Sequence, residues 1–463
     1  MARITHVVAR EVLDSRGRPT VEVEAWSERI CRRAIVPSGA STGSHEACEL
    51  RDGDANWYDG RGVQRAVQHV NEVVAPAILG MSVDDQRTID RLLIELDGSP
   101  QKMRLGANAV LGVSLATAHL AAACREQPLY RFFHDLLQQV AASLGESPVS
   151  GASVGDHRPK ISSSASTRSG NSPIGIQDWA SLVRQPRMPL PMTNMISGGL
   201  HAGGNIDFQD VLVMPIGATS YRLQLEWLVR IYQRLGALLS SAGFEGRLVG
   251  DEGGYGPRLP GNREAVEFVV RAIEAAGLQP GTDVTIALDV AATHFYDQGT
   301  YRLATEKNIQ LTSSQMIDRL ETWARDFPIT SLEDGLAEND WDGWRELTNR
   351  LGDRVRLVGD DLFTTDRRRV ARGIEQGVGN SVLIKINQIG TLTETLETIC
   401  IARQAGYTCV VSARSGETED HTIADLAVGT ASELIKIGSI VRSERLAKYN
   451  QLLRIAEELE TRS

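Results

Sequence analysis

RLVGDE at residues 247–252, TIALD at 285–289, ITSLE at 329–333, RLVGD at 356–360, VLIK at 382–385, CVVSAR at 409–414 and ELIK at 433–436 share one pattern. Each is a short apolar run that finishes on a charged side chain. Neighbouring endings lie roughly 25 to 45 residues apart, the length of a buried strand, a crossover helix and the return. Parallel units of this kind close into a (β/α) barrel in which all strand C-termini open on one mouth. The spacing therefore predicts an α/β chain with Asp251, Glu252, Asp289, Glu333, Asp360, Lys385, Arg414 and Lys436 gathered around a single cavity.

Length and composition agree with a barrel plus a smaller partner, since the chain has 463 residues and 42% apolar content. A net charge of −10 with no compensating basic block excludes a general nucleic-acid binder but leaves room for a small anionic substrate, which answers to local charge. Five cysteines, Cys31, Cys48, Cys124, Cys400 and Cys409, are scattered with no CxxC spacing, the pattern of reduced thiols in a cytoplasmic protein. No basic-then-apolar leader pattern opens the sequence. The apolar stretch from Ala107 to Cys124 is broken by Asn108, Ser114, Thr117 and His119, so a buried helix is expected there and no membrane partner.

Outside the barrel the rhythm changes twice. Residues 4 to 26 read as a hairpin turning at Asp14-Ser15-Arg16-Gly17-Arg18-Pro19, with alternation in Val21-Glu22-Val23-Glu24-Ala25-Trp26. Helical periodicity follows, giving an α+β domain over residues 1–140. Residues 141–187 are rich in Ser, Gly and Pro and read as an insertion or linker, with a short helix at Ile176 to Arg184. The barrel domain then takes 188–463.

Chemistry follows from the residue types at the mouth. Asp289, Glu333 and Asp360 offer hard carboxylate oxygens from successive strand ends, a set suited to Mg²⁺. Taken singly, each would read as a helix cap or an ion-pair partner. Lys385 faces the same cavity, where nearby cations are expected to lower its proton affinity and make it a base; the competing role is counter-ion to the acids. Gly39-Ala40-Ser41-Thr42-Gly43 forms a flexible loop able to close over an anion. Glu252, on the Gly250-Asp251-Glu252-Gly253-Gly254 turn, stands opposite Lys385. One group taking a proton from carbon while the other gives one to a leaving group is the arrangement for eliminating water.

Long motifs in order, among them DSRGRPTVEVE, VPSGASTGSHEA, LGANAVLGVSLA, GDEGG, SLEDGLAENDWDGW, LVGDDLF, LIKINQIGTLTET, RSGETEDHTIADLAVG and RSERLAKYNQLLRI, resemble the enolase family. The resemblance covers almost everything except the insertion. It implies a TIM-like (β/α)8 barrel of the enolase type, modified by a first hairpin unit and capped by the N-terminal α+β domain, and the Mg²⁺-dependent interconversion of 2-phosphoglycerate and phosphoenolpyruvate in glycolysis. By the resemblance, Glu252 is the proton donor to the departing hydroxyl, Lys385 the base at C2, and Asp210 an acid that assists Glu252. Asp289, Glu333 and Asp360 hold a first Mg²⁺ and Ser41 reaches a second. Arg414 and Ser415 take the phosphate, Lys436 the substrate carboxylate, and His201 and Gln209 make further substrate contacts. The same resemblance implies a homodimer, with an octamer as the alternative.

Three positions depart from the family pattern. Ala413 stands where His is usual, Asp210 where Glu is usual, and His294 where Glu is common. Two other readings follow from them: an enolase-derived enzyme acting on a different phospho- or phosphono-carboxylate, and a non-enzymatic paralogue.

Overall fold

The computed structural model describes residues 2–40, 43–146 and 183–462. Ser41, the greater part of the 141–187 insertion and most of its expected helix at Ile176 to Arg184 fall outside these residues.

The first unit begins with an antiparallel meander, β1 His6–Leu13, β2 Pro19–Ser27 and β3 Ile30–Ile35, ordered β1-β2-β3. Its turn is set by one carboxylate: Asp14 Oδ1 accepts from the backbone N–H of Arg16 at 2.8 Å and of Arg18 at 2.9 Å, while Gly17 supplies the left-handed φ of 69°. Val21, Val23 and Ala25 alternate onto the buried face. Helix Ala107–Cys124 packs on β2 and β3, so closely that a Cβ on Gly112 would lie 2.6 Å from Val23 Cγ2. This helix is long and apolar enough to cross a membrane, yet 83% of it is buried inside the fold. Helix Leu129–Glu146 runs past residue 140.

The second unit is a closed barrel. Its strands are β4 Leu190–Ser197, β5 Asp210–Met214 and β6 Thr285–Asp289, then, after a small antiparallel sheet of β7 Tyr296–Asp297, β8 Thr300–Leu303 and β9 Ile309–Leu311, come β10 Ile329–Glu333, β11 Arg356–Gly359, β12 Ser381–Ile384, β13 Thr408–Ser412 and β14 Leu434–Gly438. β5 runs antiparallel to both β4 and β6, and every other pairing around the barrel is parallel, with β14 closing onto β4. The interior below the mouth is filled by Met192, Leu212, Met214, Ala287, Val358, Leu383, Val410 and Leu434. Strand periodicity then places the site: a residue two positions along the same strand faces the same way. Asp289 stands above Ala287, Lys385 above Leu383, Lys436 above Leu434, Asp360 above Val358 and Asn194 above Met192. Because β5 is reversed, it is its first residue, Asp210, that reaches the mouth, paired in register with Asp289.

The expected barrel is present, but its first strand differs from the expectation. RLVG at 247–250 forms no barrel strand; Val249 makes only a single bridge to Tyr255, and Leu248 is 66% exposed. The segment is a loop laid across the end of β4, with Tyr255 N donating to Met195 O and Asp251 N donating to His201 O, both at 2.9 Å. The strands that complete the barrel are β4 and β5, whose ends carry Ser197 and Asp210.

Candidate active site

The ends of the barrel strands and the loops beside them deliver the polar side chains, and nearly all of them are buried. Lys436 sits between two carboxylates: its Nζ donates to Asp289 Oδ2 at 2.7 Å and to both oxygens of Glu333 at 2.8 Å. Lys385 donates to Asp360 Oδ2, and Gln388 Nε2 donates to Asp360 Oδ1 at 2.8 Å. Gln209 Nε2 donates to Asp289 Oδ2 at 3.0 Å, while its Oε1 is buried with no hydrogen-bond partner. Asn194 Nδ2 holds Glu252 Oε2 at 2.9 Å. The cavity they surround is narrow, about 10 Å³, and is walled by His201, Glu252, Lys385, Ala413, Arg414 and Lys436, among others.

Burial penalises every charge here, and the pairings decide which survive. Glu333 is pushed up to about 8 by burial and by the neighbouring Asp289 and Asp360, with Lys436 opposing. Asp289 and Asp360 are held below the usual carboxylate range against their burial, by Lys436 and by Lys385 respectively. Glu252 is brought down to about 2, its burial outweighed by His201, Arg445, Lys436 and Lys385. At neutral pH the ammonium groups of Lys436 and Lys385 thus balance Asp289 and Asp360, while Glu333 keeps its proton. The all-oxygen donor set of Asp289, Glu333 and Asp360 fits a divalent cation, which would take the place of the Glu333 proton.

Lys385 departs from expectation. Burial does lower its proton affinity, but Asp360 more than restores it and the ammonium is stabilised. The nearest charge is opposite, and it outweighs the cations Arg414 and Lys436. Asp210 hydrogen-bonds Ser197 Oγ and His201 Nδ1. Arg414 reaches back to the first unit, donating to Glu46 Oε2 at 3.0 Å and to Asn387 Oδ1 at 2.8 Å. Ser415 Oγ accepts from the backbone N–H of Ala40, at the edge of the Gly39–Gly43 loop, at 2.7 Å. His294 lies exposed on the rim, in the turn after β6.

The structure also adds Asn194, Gln388 and Glu46, which sequence reasoning left unassigned. Asn194 went unnoticed because β4 did. For Glu46 the signal was present, since it lies in the VPSGASTGSHEA motif beside the loop.

A barrel with one antiparallel strand, a capping α+β unit and strand-end carboxylates that could hold a metal ion define a class of TIM-barrel protein. The family model described as Enolase, C-terminal TIM barrel domain, matches residues 185–463, and that described as Enolase, N-terminal domain, matches residues 4–133. The chain belongs to the enolase family. The family implies use of a divalent metal and lyase-type chemistry.

Proposed function

We propose that this protein is a Mg²⁺-dependent hydro-lyase that interconverts 2-phosphoglycerate and phosphoenolpyruvate, as in glycolysis. The observation that carries the reading is the meeting of Asp289, Glu333, Asp360, Lys385, Lys436, Arg414 and Glu252 around one cavity. Divalent cations bound at the carboxylates would supply the positive charge that makes loss of a proton beside a carboxylate affordable. Lys385 would take the C2 proton, and a cation held by Asp360 would weaken the ion pair that stabilises its ammonium. Arg414 and Ser415 hold the phosphate, Lys436 and Gln209 orient the carboxylate end, and Glu252 delivers a proton to the hydroxyl that leaves. The buried walls exclude water from the charges that develop. We place the protein in the cytoplasm as a homodimer, on the strength of its unpaired thiols and its family.

Purified protein with Mg²⁺ and 2-phosphoglycerate is expected to produce the ultraviolet absorbance of phosphoenolpyruvate. Lys385→Ala is expected to lower the rate by at least about 100-fold, as loss of a general base does. A flat trace from folded, metal-loaded wild type would overturn the reading.

One observation favours a second reading. Ala413 is buried in the cavity wall beside Arg414, and its side chain takes up less of that wall than an imidazole would, which suits a bulkier phospho- or phosphono-carboxylate. Exchange of the C2 proton of 2-phosphoglycerate without its dehydration would support that alternative. A purely non-enzymatic role conflicts with the retention of so many buried charges, each costly to keep.

A further inference from the structure

Gln388, on the short helix Ile386–Ile389 that follows β12, is 1% exposed and has no task in the dehydration reading. Its amide is fully engaged. Nε2 donates to Asp360 Oδ1 at 2.8 Å and to Glu46 Oε1 at 3.3 Å, while Oε1 accepts from the Thr365 hydroxyl at 2.7 Å. An ionised carboxylate only accepts, so the nitrogen end of the amide is the one that faces Asp360. Thr365 Oγ1 in turn accepts from the backbone N–H of Lys385 at 2.9 Å. The chain takes an uncommon path to bring that hydroxyl there: Thr364 and Thr365, both wholly buried, lie at φ 45° and 52°, a region that β-branched residues rarely enter. Backbone held in such a region beside a site points to a task for the side chain it places.

The two oxygens of Asp360 therefore have unlike partners. Oδ2 is held by the Lys385 ammonium and Oδ1 by a neutral amide. A cation arriving at Asp360 displaces the ammonium, a like charge, whereas pushing the amide aside would strand a buried N–H. Oδ2 is thus the oxygen that Asp360 has to offer. Across the mouth, Gln209 Nε2 keeps Asp289 Oδ2 in the same way at 3.0 Å.

We propose that Gln388 sets the ion selectivity of the metal centre, holding Asp360 to one oxygen and so favouring a small six-coordinate cation, Mg²⁺, over Ca²⁺. This rests on the metal site of the dehydration reading and not on its substrate. Gln388 is a positioning residue, since it touches a carboxylate that would bind the ion and not the ion itself.

Coordination chemistry gives the selectivity its direction. Mg²⁺ demands a near-ideal octahedron of oxygens at about 2.0–2.1 Å, which single carboxylate oxygens and waters fill. Ca²⁺ takes about six to eight oxygens at longer range and gains ligands by gripping both oxygens of a carboxylate. An aspartate with one oxygen already committed denies Ca²⁺ that second ligand and costs Mg²⁺ nothing. The hydrogen bond also fixes the plane of the Asp360 carboxylate before any ion arrives, as partners behind a metal ligand do. Asp334 and Asp361 come close enough to Asp360 to suggest a different set of ligands. Asp334, however, accepts through its two oxygens from the backbone N–H groups of Asp360 at 2.9 Å and Asp361 at 2.8 Å, which makes it a brace behind Asp360.

The test titrates metal-stripped protein, without substrate, with Mg²⁺ and with Ca²⁺ by calorimetry, the fold of each variant being checked by circular dichroism. Gln388→Met is expected to lower the ratio of Mg²⁺ to Ca²⁺ affinity by about 10-fold or more. Thr365→Val, which removes the hydroxyl that orients the amide, is expected to lower it in the same direction, and Thr365→Ser, which keeps that hydroxyl, to leave it within about threefold of wild type. An unchanged ratio in folded Gln388→Met, or equal weakening of both ions, would overturn the proposal, because a merely structural role does not tell the ions apart. A crystal structure of wild type with Mg²⁺ decides the matter without any variant. The cation is expected on Asp360 Oδ2 alone with Gln388 still on Oδ1, and a cation gripping both oxygens would sink the proposal. Failure of the dehydration reading shows separately, as wild type that binds Mg²⁺ yet leaves 2-phosphoglycerate unchanged. Wild type that binds neither ion removes the metal site and the proposal together.

Discussion

Lys436 shares one ammonium between Asp289 and Glu333, with all three groups almost wholly buried. Removing one partner of such a cluster leaves the others uncompensated, a loss of about 3–5 kcal/mol for a buried pair. Because Glu333 already sits up to about 8, it can take a proton instead, and the lower end of that range is expected. Lys436→Met is therefore expected to lower the melting temperature of metal-free protein. Saturating Mg²⁺ is expected to raise it by more than it raises wild type, because the cation replaces the missing charge. Equal metal-induced shifts in the two proteins would show that Lys436 and the metal answer to different carboxylates. The same residues show where sequence reading stops. That Asp289, Glu333, Asp360 and Lys385 meet was legible from strand endings alone, since a two-residue period and a shared mouth require it. Which cation pairs with which acid was not, because it depends on distances of a few ångströms across the barrel. Lys385 was expected to be destabilised by nearby cations, and Asp360, touching it, reverses the sign.

Among the strands, β6 and β10 to β14 announce themselves as apolar runs with charged ends, whereas β4 and β5 do not. β4 carries Pro191, Thr193, Asn194 and Ser197 within its eight residues, and β5 runs backwards, so its charged residue is its first. RLVG at 247–250 has the composition of a strand but is followed by Gly253 at φ 88°, and the chain turns back before it can pair. Helices met more of what the sequence promised. Helix Gln86–Asp97 is capped by Asp85, whose side chain accepts from Thr88 N at 3.2 Å, and stops at Gly98 with φ 72°. One of its residues supplies a pH test away from the candidate metal site. Asp90 is fully buried against helix Leu392–Gln404, accepting from Thr393 N at 2.9 Å and Thr393 Oγ1 at 2.6 Å. Burial pushes its carboxyl up to about 6, with the Thr393, Ser114 and Gln86 hydrogen bonds opposing. The folded state thus binds this proton more tightly than the unfolded chain does. The stability Asp90 contributes is complete below the unfolded value near 4 and is lost as pH rises through 6, in all about 3 kcal/mol. Urea melts of wild type and Asp90→Asn between pH 4 and 7 are expected to differ by that falling slope, and parallel profiles would refute the assignment.

Across the whole chain, the capping unit is tied to the barrel by charges that neither unit could expose cheaply in its folded form. Lys102, 2% exposed, donates to Glu394 at 2.9 Å, and Arg414 donates to Glu46. His119 meets Thr422 at 2.7 Å, and Asp90 meets Thr393. Removing one partner of a buried ion pair costs about 3–5 kcal/mol, so losing one partner from each of the two pairs approaches the 5–15 kcal/mol that holds a typical domain folded. With both pairs intact the two units are expected to unfold together. Scanning calorimetry is expected to show one transition, with calorimetric and van't Hoff enthalpies in agreement. Glu46→Gln combined with Glu394→Gln keeps the side-chain shapes while removing both negative partners. The double variant is expected to split that transition, the unit that rests on fewer remaining contacts melting first. Two transitions in wild type, or a single unaltered one in the double variant, would show that apolar packing, and not these ion pairs, holds the cap in place. The outcome bears on chemistry as well as stability. Glu46 fixes Arg414 from the first unit and accepts from Gly43 N at 3.1 Å at the end of the Gly39–Gly43 loop, so a cap that loosens takes the proposed phosphate clamp with it. A fall in apparent substrate affinity is accordingly expected in Glu46→Gln but not in Glu394→Gln, whose partner Lys102 is absent from the cavity wall.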